Sequence, residues 1–125
     1  MSDILGNPQT APHVLAVRRN DADAVNEVQL TLHVHRDLRW FEGHFPQVAL
    51  LPGVVQTSWV VAFARQYFSM PQQFCSMSNM KFMRFIMPDT RVTLWLRYNA
   101  EKGELSFEYR EREQICASGR MGFGS

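Results

Sequence analysis

Two cysteines, Cys75 and Cys116, are all that 125 residues contain, and neither stands in a Cys-x-x-Cys pair or at metal-ligand spacing. A disulfide framework is therefore not expected, nor is a bound metal or any other cofactor. Reduced thiols packed as small apolar groups, in a cytoplasmic protein, are the expectation for both. Charge of one sign is equally scarce. With 13 Lys and Arg against 12 Asp and Glu, the net charge is +1, and no bulk field favours nucleic acid or an anionic membrane. No apolar stretch approaches the roughly 18 residues of a membrane span. Met1 to Thr10 lacks the basic start and apolar run of a signal peptide, and with the Gly122 to Ser125 tail it is the piece expected to be flexible. Repeats and low-complexity tracts are missing too.

What is present is enough apolar sequence, 46%, for one core and too little length for two domains, so residues 1–125 read as one domain. Glu27 to His35 alternates strictly, placing Val28, Leu30, Leu32 and Val34 on one face of a half-buried strand. His13 to Arg18 precedes it across the polar turn Asn20-Asp21-Ala22-Asp23, which suggests a hairpin. Gly53 to Phe68 has no internal Pro or Gly, follows Pro52, and predicts one long helix. Its first turns are apolar almost all round, so something must wrap it. Four strands follow, Met80 to Met87, Arg91 to Tyr98, Glu104 to Arg112 and Gln114 to Phe123, joined by turns at Lys102-Gly103 and Glu111 to Glu113. The order is α+β, and a curled antiparallel sheet around one central helix satisfies it.

The segment Phe41 to Trp59, FEGHFPQVALLPGVVQTSW, carries the chemistry. A helix opening at Pro52-Gly53 offers unpaired N–H groups and a positive dipole end, suited to polarising a carbonyl oxygen. His44, titrating near neutral pH, could remove a proton next to that carbonyl.

This segment resembles the signature of the hotdog-fold 3-hydroxyacyl-acyl carrier protein dehydratases, on Gly43-His44-Phe45-Pro46 and Pro52-Gly53-Val54 at the family spacing. Leu51 to Val54 with Gln56 and Trp59 is most similar to the small dehydratase-like proteins of aryl-polyene clusters. The resemblance implies a hotdog fold, His44 as the base for the α-proton, and the Gly53 amide as the group that holds the thioester carbonyl oxygen. It also implies a substrate-binding surface from Phe45, Pro52, Val54, Gln56 and Trp59. In the family a Glu or Asp fourteen residues after the histidine, on the partner subunit's helix, protonates the departing hydroxyl. Here that position is Ser58, and the family's second loop proline is Ala49. A serine hydroxyl is a far weaker acid than a carboxylic acid, a loss typically worth about 10²- to 10⁴-fold in rate. A water shared by Ser58 and Gln56, or the remote Glu42 or Asp37, are the substitutes the sequence offers.

Other residues read more plainly. His13, His33 and His35 are expected on solvated surface. Met70, Met77, Met80, Met83 and Met87, interleaved with Phe74, Phe82 and Phe85, fit core packing or the wall of an acyl site. Lys81, Arg84, Arg91 and Arg97 fit a solvated strand face or the anionic surface of an acyl carrier protein or coenzyme A. The resemblance implies a homodimer, with a dimer of dimers as a further step. It also implies an acyl thioester as partner and a lyase of fatty-acid or aryl-polyene biosynthesis. A thioesterase, or a non-catalytic acyl-binding or heterodimerising subunit, are the alternatives.

Overall fold

The computed structural model describes residues 4–22, 25–42 and 50–124. Strands β1 (His13–Ala22) and β2 (Val25–Val34) lead through a 3₁₀ turn, Arg39–Phe41, to helix α1 (Gly53–Tyr67). Strands β3 (Gln73–Phe82), β4 (Thr90–Asn99), β5 (Glu104–Glu111) and β6 (Gln114–Gly124) complete the chain. All pair antiparallel in one sheet of order β1-β2-β4-β5-β6-β3, so β1 and β3 are its two edges. This is the α+β arrangement expected from the element order, and the hotdog fold that the resemblance implies.

The alternating residues face the helix. Val28, Leu30, Leu32 and Val34 of β2, Val92, Leu94 and Leu96 of β4, and Leu105, Phe107 and Tyr109 of β5 are buried with Val55, Trp59, Val60, Phe63 and Ala64 of α1. The Tyr109 hydroxyl, fully buried, donates to the main-chain oxygen of Gln56 at 2.6 Å and ties sheet to helix. Burial holds that phenol neutral, well above its ordinary range. Gly103, at φ 63°, lets the β4–β5 turn close against the Phe123 carbonyl, where a Cβ has no room.

Several expectations need correction. The first hairpin runs on to Ala22 and resumes at Val25, so the supposed turn residues Asn20 to Ala22 are strand, and Asp23 lies outside the described residues. The third strand is Gln73–Phe82 and not Met80 to Met87, most of which forms the connection to β4. As an edge strand exposed along nearly its whole length, β3 needs no apolar alternation, which hid it behind its Ser, Gln and Asn content. The helix is not wrapped all round either. Val54 is 73% exposed, and Phe74, Met77, Phe82, Met83, Phe85 and Met87 are exposed large apolar groups rather than core. Cys116 is buried as expected, its thiol pushed up by desolvation, but Cys75 is exposed on the edge strand.

Residues 4–12 run as a strap across the end of the sheet and helix, joined to them by hydrogen bonds. The Thr10 hydroxyl donates to the Ile4 carbonyl at 2.7 Å, and Arg39 N–H donates to the Gln9 carbonyl at 2.9 Å. Trp59 Nε1–H donates to the Thr10 carbonyl at 2.8 Å, and its indole meets Trp40 edge-on at 6.2 Å. Trp59→Ala, which empties a fully buried site, is expected to cost about 3–5 kcal/mol in urea unfolding. Trp59→Phe, which keeps most of the packing but strands the Thr10 carbonyl, is expected to cost about 1–3 kcal/mol. A Trp59→Phe loss near zero would show that the hydrogen bond contributes nothing.

The strap also buries a histidine. His35 is 5% exposed rather than solvated, its Nε2–H donating to the Ala11 carbonyl at 2.9 Å while Nδ1 is buried with no partner among the described residues. His13 stacks on it at 4.1 Å, His33 lies 5.5 Å from His13, and Asp89, held by Arg36, is 3.6 Å from His33. Desolvation first, then His35 and His33, hold His13 below its ordinary value. The unfolded chain therefore takes up this proton before the folded one, so stability falls as pH drops below about 6.5. Asp89, lowered by Arg36, adds its own loss only at more acid pH, below the ordinary carboxylate range. The melting temperature is expected to fall between pH 7 and 5.5, and His13→Gln to flatten that slope. An equal slope in the variant would count against the histidine stack.

Candidate functional site

The site is built on the first turn of α1. Leu51 is clamped on both sides: its N–H donates to the Ile86 carbonyl at 2.8 Å and its carbonyl accepts Gln56 Nε2–H at 3.1 Å. Pro52, extended at φ −61° and ψ 146°, then caps the helix, and its carbonyl accepts the N–H groups of Val55 and Gln56. The N–H groups of Gly53 and Val54 have no partner among the described residues, and both stand at the positive end of the helix dipole. A Cβ on Gly53 would stand 3.1 Å from Phe82 Cε1. Glycine is thus what lets the Phe82 ring lie against this opening.

Gly53 borders a cavity of about 550 Å³ with Leu50, Leu51, Gln56, Phe82, Met83, Arg84 and Phe85. Gln56, 4% exposed, has no partner for its Oε1 among the described residues. Ser58 belongs to a second cavity, of about 700 Å³, with Val54, Thr57, Val61, Phe74, Met77 and Phe123 among its lining. The Ser58 hydroxyl donates back to the Val54 carbonyl at 2.8 Å. Gln56 and Ser58, two residues apart on a helix, do not face each other, and each borders a different cavity. A water shared between them within one chain is therefore ruled out.

The remaining candidates sort accordingly. Pro52 and Val54 stand at the helix start, Val54 in the Ser58 cavity. Trp59 is fully buried and borders neither cavity, so its part is packing and anchoring the strap, not substrate contact. Asp37 and Glu42 are exposed and border neither cavity. The cationic quartet is split, for Arg84 stands at the Gly53 cavity whereas Lys81 and Arg97 share an outer groove of the sheet with Arg120. His44, Phe45 and Ala49 lie outside the described residues and are assigned by sequence alone. Sequence reading missed Ile4 and Leu5, which border the Ser58 cavity; apolar residues in a polar tail were their only signal. Among the described residues no cluster of His, Cys, Asp and Glu has the makings of a metal site, and no helix is long and apolar enough to cross a membrane.

Comparison with known proteins bears on the same residues. The 3-hydroxyacyl-acyl carrier protein dehydratase FabZ of Sorangium cellulosum (strain So ce56) is 29% identical over 94 residues, which are 66% of this chain and 61% of that protein. The match thus spans less than two thirds of that relative's length. A crystal structure of a protein from Erwinia carotovora subsp. atroseptica superposes with TM-score 0.83 at 34% identity, over 90% of this chain and 95% of the other. The dehydratase heterocomplex ApeI:P of Xenorhabdus doucetiae superposes with TM-score 0.78 at 28% identity, over 91% and 98%. The family model for the ApeI-like ApeI dehydratase matches residues 19–120. With that match over most of its length, the hotdog sheet and the Pro52-Gly53 helix opening, this chain belongs to the ApeI-like dehydratase family.

Proposed function

We propose that the protein binds a 3-hydroxyacyl thioester and acts as a dehydratase-like lyase, with a site completed by a second copy of the chain. The observation that carries this reading is the separation of Gly53 and Ser58 into two cavities of one chain, although they are only five residues apart. One site that uses both must join the Gly53 cavity of one protomer to the Ser58 cavity of its partner.

In the forward reaction His44 takes the α-proton as its C–H bond breaks, and the electron pair forms the new C=C bond. The amide of Gly53 holds the charge that develops on the thioester oxygen. The C–O bond to the hydroxyl breaks, and the leaving oxygen departs as water with a proton taken from solvent. Ser58 cannot supply that proton efficiently, since its own hydrogen is engaged by the Val54 carbonyl. Arg84, at the Gly53 cavity, suits the phosphate-bearing arm of an acyl carrier protein or coenzyme A.

A second reading has support in Ser58 itself, at the position of the family's carboxylate: the chain works as an acyl-binding subunit beside another hotdog protein that supplies the acid. The relative from Xenorhabdus doucetiae is a heterocomplex, which agrees with this arrangement. Incubation of the purified protein with a crotonyl thioester separates the readings. Loss of enoyl absorbance without thiol release is expected of the lyase. Thiol release would establish a thioesterase instead, and binding without either change would leave the acyl-binding subunit.

A further inference from the structure

We propose that the N-terminal strap sets which acyl chains the protein accepts, with Ile4 and Leu5 forming one wall of the acyl cavity. The inference rests on the acyl-thioester reading above and extends it to a segment that the family model, matched over residues 19–120, does not include.

Ile4 and Leu5 are half-buried, pack against the core, and border the 700 Å³ cavity that holds Ser58. The rest of that lining is mostly apolar, through Val54, Val61, Phe74, Met77 and Phe123, with polar groups at Ser58, Thr57, Arg65 and Gln66. From Val54 to Arg65 the cavity follows roughly 17 Å of helix. An apolar trough that begins beside a reacting-group position and continues along a helix suits the aliphatic part of a thioester.

The wall is fixed in place. Thr10, 9% exposed, holds Ile4 through its hydroxyl and holds Trp59 through its carbonyl, and Gln9 and Ala11 are bound by Arg39 and His35. A segment tied at the carbonyls of Ile4, Gln9, Thr10 and Ala11 cannot move away as a whole for a longer chain without breaking those bonds. Side-chain size at positions 4 and 5 therefore controls the space beside the acyl group. At the opposite side Arg65 is equally restrained, donating to the carbonyls of Pro71 and Gln72 and lying 5.3 Å from the Phe123 ring.

The test is the affinity of the full-length protein for saturated acyl-N-acetylcysteamine thioesters of four to twelve carbons, in wild type, Ile4→Ala/Leu5→Ala and Ile4→Trp. The alanine pair is expected to move the preference to longer chains and the tryptophan to shorter ones. Each should change the long-to-short ratio by about tenfold, as for a methylene or so of pocket depth. Melting temperatures report whether each variant is folded, and Trp59→Phe, which loosens the strap without touching the cavity, should broaden the length preference. Identical length profiles in folded variants would overturn the inference and leave the acyl-thioester reading intact. A changed oligomeric state with an unchanged profile would overturn it too, marking this wall as a contact between copies. If wild type binds none of the series, the acyl-thioester reading fails, and this inference with it.

Discussion

Ser58→Glu is expected to raise the rate of enoyl-thioester hydration by about 10²- to 10⁴-fold, the effect of placing a general acid–base where a serine stands. The side chain at 58 is exposed and borders a cavity of about 700 Å³, so a longer residue meets open space rather than core. The helix should tolerate the change and gain slightly from it. Glutamate is the better helix former, and the substitution removes a hydroxyl that bonds back to the Val54 carbonyl. Initial rates with a crotonyl thioester, beside a melting curve for each protein, provide the measurement. A wild-type rate equal to that of the variant would mean that some other group already protonates the leaving oxygen.

His44→Ala in the Ser58→Glu background is expected to remove most of that gain, about 10²- to 10⁴-fold in kcat with little change in KM. The imbalance follows from the role. A base that acts only as the α-proton leaves contributes to the transition state, whereas the apolar cavities bind substrate and transition state alike. A rise in KM at constant kcat would instead make His44 a binding residue.

The central architecture was legible because β2, β4 and β5 each bury one face and leave the other open, which writes a period of two into the sequence. The helix boundaries were legible for a similar reason: Pro52 can cap a helix but not continue one. Both failures of register came from the sheet margins. In β3 the side chains are exposed, so burial imposes no pattern, and the Met and Phe residues after it were attractive as a strand because they are apolar. Those side chains in fact border cavities or stand exposed, a use that hydropathy cannot separate from core packing.

The strap and His35 were illegible on different grounds. Residues 4–12 have little apolar content, and their placement depends on hydrogen bonds to Trp59, Arg39 and His35, all distant in sequence. His35 falls on the polar face by alternation, but the strand ends at Val34 and the strap covers the imidazole just beyond it. Of the site, the Gly53 amide was foreseeable from the helix start, whereas the separation of Gln56 from Ser58 required the placement of two cavities. Trp59 shows the same limit, because a motif position does not reveal whether an indole faces substrate or core.

A site shared between two copies is tested most directly by mixing two chains that each lack one half of it. Wild type supplies His44 without a carboxylate, and the His44→Ala/Ser58→Glu double variant supplies the carboxylate without the base. Each alone is expected to hydrate a crotonyl thioester slowly. After the two are unfolded and refolded together, mixed dimers should bring His44 of one chain to Glu at position 58 of the other, and fast hydration should appear. A mixture no faster than its components, with Ser58→Glu active by itself and mixed dimers demonstrably formed, would place both groups of each site within a single chain.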